Sequence, residues 1–196
     1  MKFELKVLAA FTGMTRRPQS LPYLHDASWK CSEQVKFLPM LPVGNSIDDQ
    51  ITTLVKEERI LLAKKLYQDL NTALAAALKV GVFHSDIRPD NVVFANGAFV
   101  LIDWGLARKA RANMHHYTGG KAFFHDDLIT SSSEGTNIQY KTEYDVQSAA
   151  YVAYSVAYAK VHHLNLPGWE KYPDEELIIQ RAEDTNTFFK NVLRKE

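Results

Sequence analysis

Two short segments of the chain contain residue types that can move protons and hold charged oxygen groups. They are His-Ser-Asp-Ile-Arg-Pro-Asp-Asn at residues 84–91 and Asp-Trp-Gly at residues 103–105. A loop carboxylate at Asp86 can accept or align the proton of a hydroxyl group. Asn91 offers an amide oxygen and Asp103 a carboxylate, which are the hard ligands that a magnesium ion carrying phosphates prefers. The two segments are therefore candidates for one site with a base and two metal ligands.

A long helix before the first segment and a hairpin after it are predicted. Apolar residues recur every three or four positions over residues 60–80, and Gly81 follows where a helix stop is expected. Two apolar runs, 91–94 and 98–102, are separated by Ala-Asn-Gly. An Asn-Gly pair between such runs is typical of a β-hairpin. Both segments thus lie on the short turns that such a site needs.

The other elements are predicted from the same kinds of pattern. Helices are expected over residues 4–11 and over residues 145–158, where alanine, valine and tyrosine indicate burial on most sides. Residues 35–38 are typical of a strand that is broken by the prolines after it. Residues 108–116 and 131–142 are predicted to be irregular loops, and residues 175–189 one or two amphipathic helices.

The composition is typical of one intracellular globular domain. The chain has 196 residues, with 23 Lys and Arg against 23 Asp and Glu. A net charge of zero creates no field toward nucleic acid or an anionic membrane, so neither partner is expected. A single cysteine, Cys31, favours a reducing compartment, and the cytoplasm is predicted. No secretory signal is recognisable, and no apolar stretch approaches the about 18 residues that cross a bilayer.

In order and spacing, the two segments resemble the signatures of the protein kinase family, H-R-D-L-x-x-x-x-N and D-F-G. The interval from Asp86 to Asn91 is kept, and an Asn-Gly hairpin lies between the two signatures. The resemblance covers roughly residues 4–190. It implies an α+β, protein kinase-like fold, with a partial small lobe and its β-sheet in residues 1–44 and a mostly helical large lobe in residues 45–196.

The resemblance also implies roles for the residues of the two segments, with ATP and Mg as cofactors. Asp86 would be the catalytic base, and Arg88 would replace a catalytic-loop lysine and meet the transferred phosphate. Asn91 and Asp103 would hold the magnesium. Residues 37–46 resemble the last small-lobe strand and the hinge that receives adenine.

The resemblance also implies adenine-binding residues that lie outside the two segments. Leu41 and Val43 would bind adenine through the backbone, and Val93 would lie under the ring. Residues 118–127 resemble the end of the activation segment. Asp145 resembles the buried aspartate that holds the catalytic loop in place, and His84 is interpreted as a buried packing residue rather than a base.

Several positions depart from the family pattern. Ser85 replaces the arginine that would meet a phosphate on the activation loop, so regulation by that route is not expected. Trp104 replaces phenylalanine, and His-Asp-Asp at residues 125–127 replaces A-P-E. Only three residues precede Glu4, which resembles the helix glutamate that pairs with a strand lysine. Neither that lysine nor a glycine-rich loop precedes it, so we expect a loss of several kcal/mol of transition-state stabilisation and a slow or inactive enzyme.

Three functions are open on these grounds. The first is an ATP- and Mg-dependent protein kinase of the Ser/Thr type, acting on a protein substrate. The second is a pseudokinase or kinase mimic that binds a partner kinase or its substrate, since an incomplete small lobe could also receive a partner chain or a second copy. The third is a small-molecule phosphotransferase of the aminoglycoside or choline kinase type, whose segments are similar to His-x-Asp-x-x-x-x-Asn and Ile-Asp-Trp.

Overall fold

The structure is a computed structural model that describes residues 2–25, 40–47, 51, 54–110, 113–114, 123–125, 127–128, 138–158, 183–184 and 186–190. The strand predicted at residues 35–38 lies outside these ranges, as do Cys31 and most of residues 118–127. Where the chain is described, it combines helices with short antiparallel strands. This arrangement confirms the predicted α+β fold class.

The longest described helix, α2 (Lys56–Lys79), contains the predicted apolar stripe. Its buried side chains are Ala63, Leu66, Leu70, Ala73, Leu74 and Ala77. The helix begins at Lys56 rather than at residue 60, because the Glu58 carboxylate accepts a hydrogen bond from the Val55 N–H at 3.1 Å and closes the first turn. It ends where predicted, before Gly81, whose φ is +75°.

Helix α3 (Thr142–Tyr158) is buried along most of its length and packs against α2. Its alanines from residue 149 to residue 157 are buried, and so are the side chains of Tyr151 and Tyr154. The prediction that residues 145–158 form a helix buried on most sides is therefore confirmed. Among the described helices, none is long and apolar enough to cross a membrane.

The hairpin between the two segments forms as predicted. Strand β5 (Val92–Ala95) pairs with β6 (Ala98–Leu101), and the turn residues Asn96 and Gly97 have φ values of 53° and 79°. Strand β3 (Asn45–Ser46) pairs with the other edge of β5, so this sheet has the order β3-β5-β6. Two positive φ values in a two-residue turn match the twist of the flanking strands.

The N-terminal region forms helix α1 (Lys2–Thr12) and a two-stranded sheet. Strand β1 (Tyr23–Leu24) pairs with β2 (Met40–Leu41). The Thr12 hydroxyl accepts a hydrogen bond from the Leu24 N–H at 3.0 Å, which joins α1 to β1. Val7, Leu8 and Phe11 of α1 are buried in the main core.

The prediction of irregular structure over residues 108–116 and 131–142 is wrong in part. Strand β7 (Arg108–Lys109) pairs with β4 (Val82–Phe83), and β8 (Asn113–Met114) pairs with β9 (Ile138–Gln139). Thr142, at the end of the second range, already belongs to α3. These strands have only two residues each, so apolar alternation could not reveal them, and their partners lie far away in the sequence.

Candidate active site

The loop of residues 84–88 is held from below by the buried carboxylate of Asp145 on α3. Asp145 accepts hydrogen bonds from the N–H of His84 at 2.8 Å and the N–H of Ser85 at 3.0 Å. The Tyr140 hydroxyl donates a third, at 2.8 Å. Burial raises the pKa of Asp145, while the hydrogen bonds from Tyr140 and from the two backbone N–H groups favour its charged form. Ser85 has a φ of 66°, a backbone conformation that these bonds help to maintain.

His84 connects the two segments. One ring nitrogen, Nε2, lies 2.9 Å from the carbonyl of Ile102, which can only accept, while Nδ1 lies 3.2 Å from the N–H of Asp86, which can only donate. We therefore assign the neutral tautomer with the proton on Nε2. Burial lowers the pKa of His84, which agrees with this neutral form. The interpretation of His84 as a buried packing residue is consistent with its exposure of 0%.

Asp86 and Asn91 are in direct contact. The Asn91 amide donates to the Asp86 backbone carbonyl at 2.8 Å and to its carboxylate Oδ2 at 3.0 Å. Pro89 begins a short 3₁₀ helix, Pro89–Asn91, which brings Asn91 back toward Asp86. Both side chains are buried, so the carboxylate is held in one orientation. The amide oxygen of Asn91 is not used in these bonds.

Arg88 lies between two carboxylates. Its Nε is 3.8 Å from Oδ2 of Asp86 and 3.6 Å from Oδ2 of Asp90. Asp90 is largely exposed, whereas the Asp86 side chain is 10% exposed. Water screens the contact with Asp90 much more than the contact with Asp86. A positive charge thus lies beside the candidate base.

Asp103 is exposed to solvent, whereas the next residue, Trp104, is buried. The Trp104 ring lies between those of Phe11 and His84, with centroid distances of 4.7 and 4.5 Å. Its indole N–H donates to the Leu101 carbonyl at 2.9 Å, so the site accommodates tryptophan with its polar atom satisfied. Asp103 itself has φ 56° and ψ 70° and accepts from the Gly105 N–H at 3.2 Å.

Glu4 of α1 approaches the same turn. A side-chain carbon placed at Gly105 would lie 3.1 Å from Oδ1 of Asp103 and 3.8 Å from Oε2 of Glu4. The pKa of Glu4 is raised by burial first and by the Asp103 charge second, while a hydrogen bond with the Trp104 backbone opposes the shift. The helix glutamate expected from the sequence is therefore beside the Asp-Trp-Gly turn.

The predicted adenine-binding residues lie in β2, in the segment between β2 and β3, and in β5. Leu41 ends β2, and Val43, at 84% exposure, lies between β2 and β3. Val93 pairs with Ser46 of β3. Gly44 lies against β5, because a Cβ there would be 2.5 Å from the Phe94 carbonyl oxygen. Their role in nucleotide binding stays a prediction.

Some contacts that build the site are absent from the sequence predictions. The bond from Tyr140 to Asp145 is one, and the crowding of Gly44 is another. A third is Asp69 of α2, whose carboxylate accepts from the Phe99 N–H at 2.8 Å and fixes β6 to the helix. No local pattern distinguishes these residues from ordinary polar or turn residues. In the described part of the chain, no three His, Cys, Asp or Glu side chains form a metal cluster.

Known proteins are similar to the part of the chain that contains the loop of residues 84–91 and the Asp-Trp-Gly turn. Residues 35–187 match a family described as the protein kinase domain. A relative from Oryza sativa subsp. japonica, CBL-interacting protein kinase 22, is 41% identical over 54 residues. That alignment covers 27% of this chain and 12% of the relative. The chain thus spans a small part of the length of the curated relative that it matches.

Proposed function

We propose, since this chain belongs to the protein kinase family, that it transfers the γ-phosphoryl group of ATP to a serine or threonine hydroxyl of a protein. The observation that carries the proposal is the hydrogen bond from the Asn91 amide to the Asp86 carboxylate. It fixes the candidate base on a rigid turn and occupies one carboxylate oxygen. In that fixed position the Asp86 carboxylate can align the proton of an incoming hydroxyl group.

Asn91 and Asp103 have the donor chemistry that magnesium requires. Asn91 uses its amide nitrogen on Asp86, so its oxygen is the atom suited to a cation. Asp103 is an exposed carboxylate held by the Gly105 N–H, which orients it without neutralising it. When bound, Mg and ATP supply the phosphoryl group and neutralise its charge. The residues of this chain would hold and orient these groups.

Arg88 is proposed to stabilise negative charge on the transferred group. Its guanidinium lies beside Asp86, and its side chain is 40% exposed. It can therefore reach a phosphate at the mouth of the site. Leu41, Val43 and Val93 are proposed to bind adenine, on the support of their positions in β2, in the segment between β2 and β3, and in β5.

The experiment is phosphoryl transfer from labelled ATP by the purified chain, with magnesium and a pool of Ser/Thr peptides. Asp86→Ala should lower the rate by about 100-fold or more, the usual effect of losing a positioned base. Asp90→Ala removes a neighbouring, largely exposed carboxylate and should retain most activity. An Asp86→Ala variant that phosphorylates as well as the parent would reject the role of the base.

The same assay separates the alternatives. Phosphorylation of a small alcohol, with none of the peptides, would favour a small-molecule phosphotransferase. No transfer by a folded parent chain would favour a kinase mimic that acts by binding a partner kinase or substrate. Either result rejects the proposed activity while leaving the family assignment intact.

A further inference from the structure

A groove of about 410 Å³ lies outside the candidate active site, between the segment after α1 and the C-terminal half of α2. Its lining includes Arg16, Pro18, Asn71, Thr72, Ala76 and Lys79. We call it the α2 groove. None of these residues belongs to the loop of residues 84–91 or to the Asp-Trp-Gly turn. On the α2 wall the lining includes the small side chains of Ala75 and Ala76, which leave the depression.

The α2 groove carries positive charge without a compensating acid. Arg16 and Lys79 both line it and are both exposed, and no Asp or Glu is part of the lining. Within the described parts of the chain, neither cation is within ion-pair distance of a carboxylate. The whole protein has a formal net charge of zero, so this positive charge is a local feature. Charge complementarity therefore favours an anionic occupant.

The wall that carries Arg16 is held rigidly. The neighbouring Arg17 turns inward, where its Nη1 donates to the carbonyls of Pro18 and Leu21. Its guanidinium also lies over the Tyr23 ring, 4.2 Å from the centroid. The opposite wall is a continuous helix. A groove with two fixed walls loses little entropy when it binds a ligand.

The remaining polar groups of the α2 groove distinguish a peptide from a simple anion. The Asn71 amide donates to the Tyr67 carbonyl at 2.7 Å, and the Thr72 hydroxyl donates to the Gln68 carbonyl at 2.9 Å. The Thr72 hydroxyl therefore offers its oxygen as an acceptor, and the Asn71 amide offers its oxygen together with its second N–H. A phosphate ion offers few hydrogens to such acceptors. A polypeptide offers backbone N–H groups together with acidic side chains.

We propose that the α2 groove binds an extended segment of a partner protein that carries Asp or Glu side chains. The acidic side chains pair with Arg16 and Lys79, and backbone N–H groups of the segment donate to Asn71 and Thr72. The volume, about 410 Å³, is within the range of pockets that hold small ligands, so a few residues of the segment fill it. This binding does not depend on phosphoryl transfer.

The test is an NMR titration of the ¹⁵N-labelled chain with the peptide acetyl-(Glu-Ala)₃-amide. Amide shifts are expected at residues 71–79, with no comparable shifts at residues 84–91. Replacing both cations, by Arg16→Gln with Lys79→Gln, should weaken binding about tenfold. The matched control, Lys56→Gln with Lys109→Gln, removes two exposed cations elsewhere and should leave the affinity within about twofold.

A second variant tests the shape of the α2 groove without altering charge. Ala75 lines the groove and is exposed, so Ala75→Trp should fill it and abolish binding while the chain stays folded. Equal weakening by the two double variants would overturn the proposal, since binding would then follow overall charge. Equal binding of acetyl-(Gln-Ala)₃-amide, displacement of the acidic peptide by equimolar phosphate, or the absence of binding would also overturn it.

Discussion

At the scale of single residues, two side chains decide how the loop and the Asp-Trp-Gly turn are joined. His84 bridges them through Ile102 and Asp86, and it can do so only as a neutral imidazole. The absence of a side chain at Gly105 leaves room for the Asp103 carboxylate, whose Oδ1 would lie 3.1 Å from a Cβ there. His84 leads to a prediction about proton binding, and Gly105 leads to a prediction about an added Cβ atom.

The first prediction concerns the pH dependence of stability. The pKa of His84 in the folded protein is lowered below its usual value near 6.5, so below that pH the unfolded chain binds a proton that the folded chain does not. The free energy of unfolding should then fall as pH falls below about 6.5, by up to about 1.4 kcal/mol per pH unit. Urea unfolding from pH 8 to pH 5.5 measures it.

His84→Gln should lose this part of the slope. The control His25→Gln removes an exposed histidine and should keep the slope of the parent. Parallel curves for the parent and His84→Gln would contradict the assignment of a neutral, buried His84.

The second prediction concerns Gly105→Ala. The new Cβ would lie 3.1 Å from Oδ1 of Asp103, closer than ordinary contacts, and should displace that carboxylate from the Gly105 N–H. Because Asp103 is a proposed magnesium ligand, the magnesium concentration for half-maximal stabilisation by ATP should rise about 10- to 100-fold. A thermal-shift titration of magnesium measures it, and an unchanged midpoint in the folded variant would count against Asp103 as a ligand.

At the scale of elements, close packing places the segment before β3 against β5. A Cβ at Gly44 would lie 2.5 Å from the Phe94 carbonyl oxygen and 2.9 Å from its carbon. These are backbone atoms of a paired strand and cannot move without breaking the sheet. The absence of a side chain at residue 44 therefore allows β3 to join this sheet.

The third prediction follows from this contact. Gly44→Ala should lower the free energy of unfolding by about 1–3 kcal/mol, the usual cost of overpacking. Gly13→Ala is the matched control, because its nearest contact would be an ordinary 3.5 Å, and it should change stability by no more than about 0.5 kcal/mol. Equal stabilities of the two variants in urea unfolding would show that β3 does not depend on this approach.

At the scale of the whole molecule, the candidate site depends on elements from distant parts of the sequence. Helix α3 supplies Asp145 under the loop, α1 supplies Glu4 and Phe11 beside the Asp-Trp-Gly turn, and α2 packs behind the hairpin. Ligand binding at the loop and the turn should therefore be coupled to the stability of the entire fold.

The fourth prediction measures that coupling. With magnesium, ATP at about 100 times its dissociation constant should stabilise the chain by about 2.7 kcal/mol, which raises Tm by about 5–11 °C for a chain of this size. Asp103→Ala should abolish the magnesium-dependent part of the shift. A folded parent chain with no shift would argue against nucleotide binding and in favour of a nucleotide-free kinase mimic.

The sequence by itself determined the elements that depend on local patterns. The apolar spacing of residues 60–80 predicted α2, and Asn96-Gly97 predicted the hairpin, because a helix stripe and a two-residue turn are properties of adjacent residues. The order and spacing of the two segments were also enough to indicate the family, which the match over residues 35–187 shows.

The tertiary structure alone decided the contacts between residues far apart in the chain. The pairing of β4 with β7, the bond from the Phe99 N–H to the Asp69 carboxylate, and the crowding of Gly44 against Phe94 are examples. The α2 groove is another, since its walls come from residues 16–18 and 71–79. Such contacts depend on how packed helices and sheets bring distant backbones together, and no periodicity in the sequence records that distance.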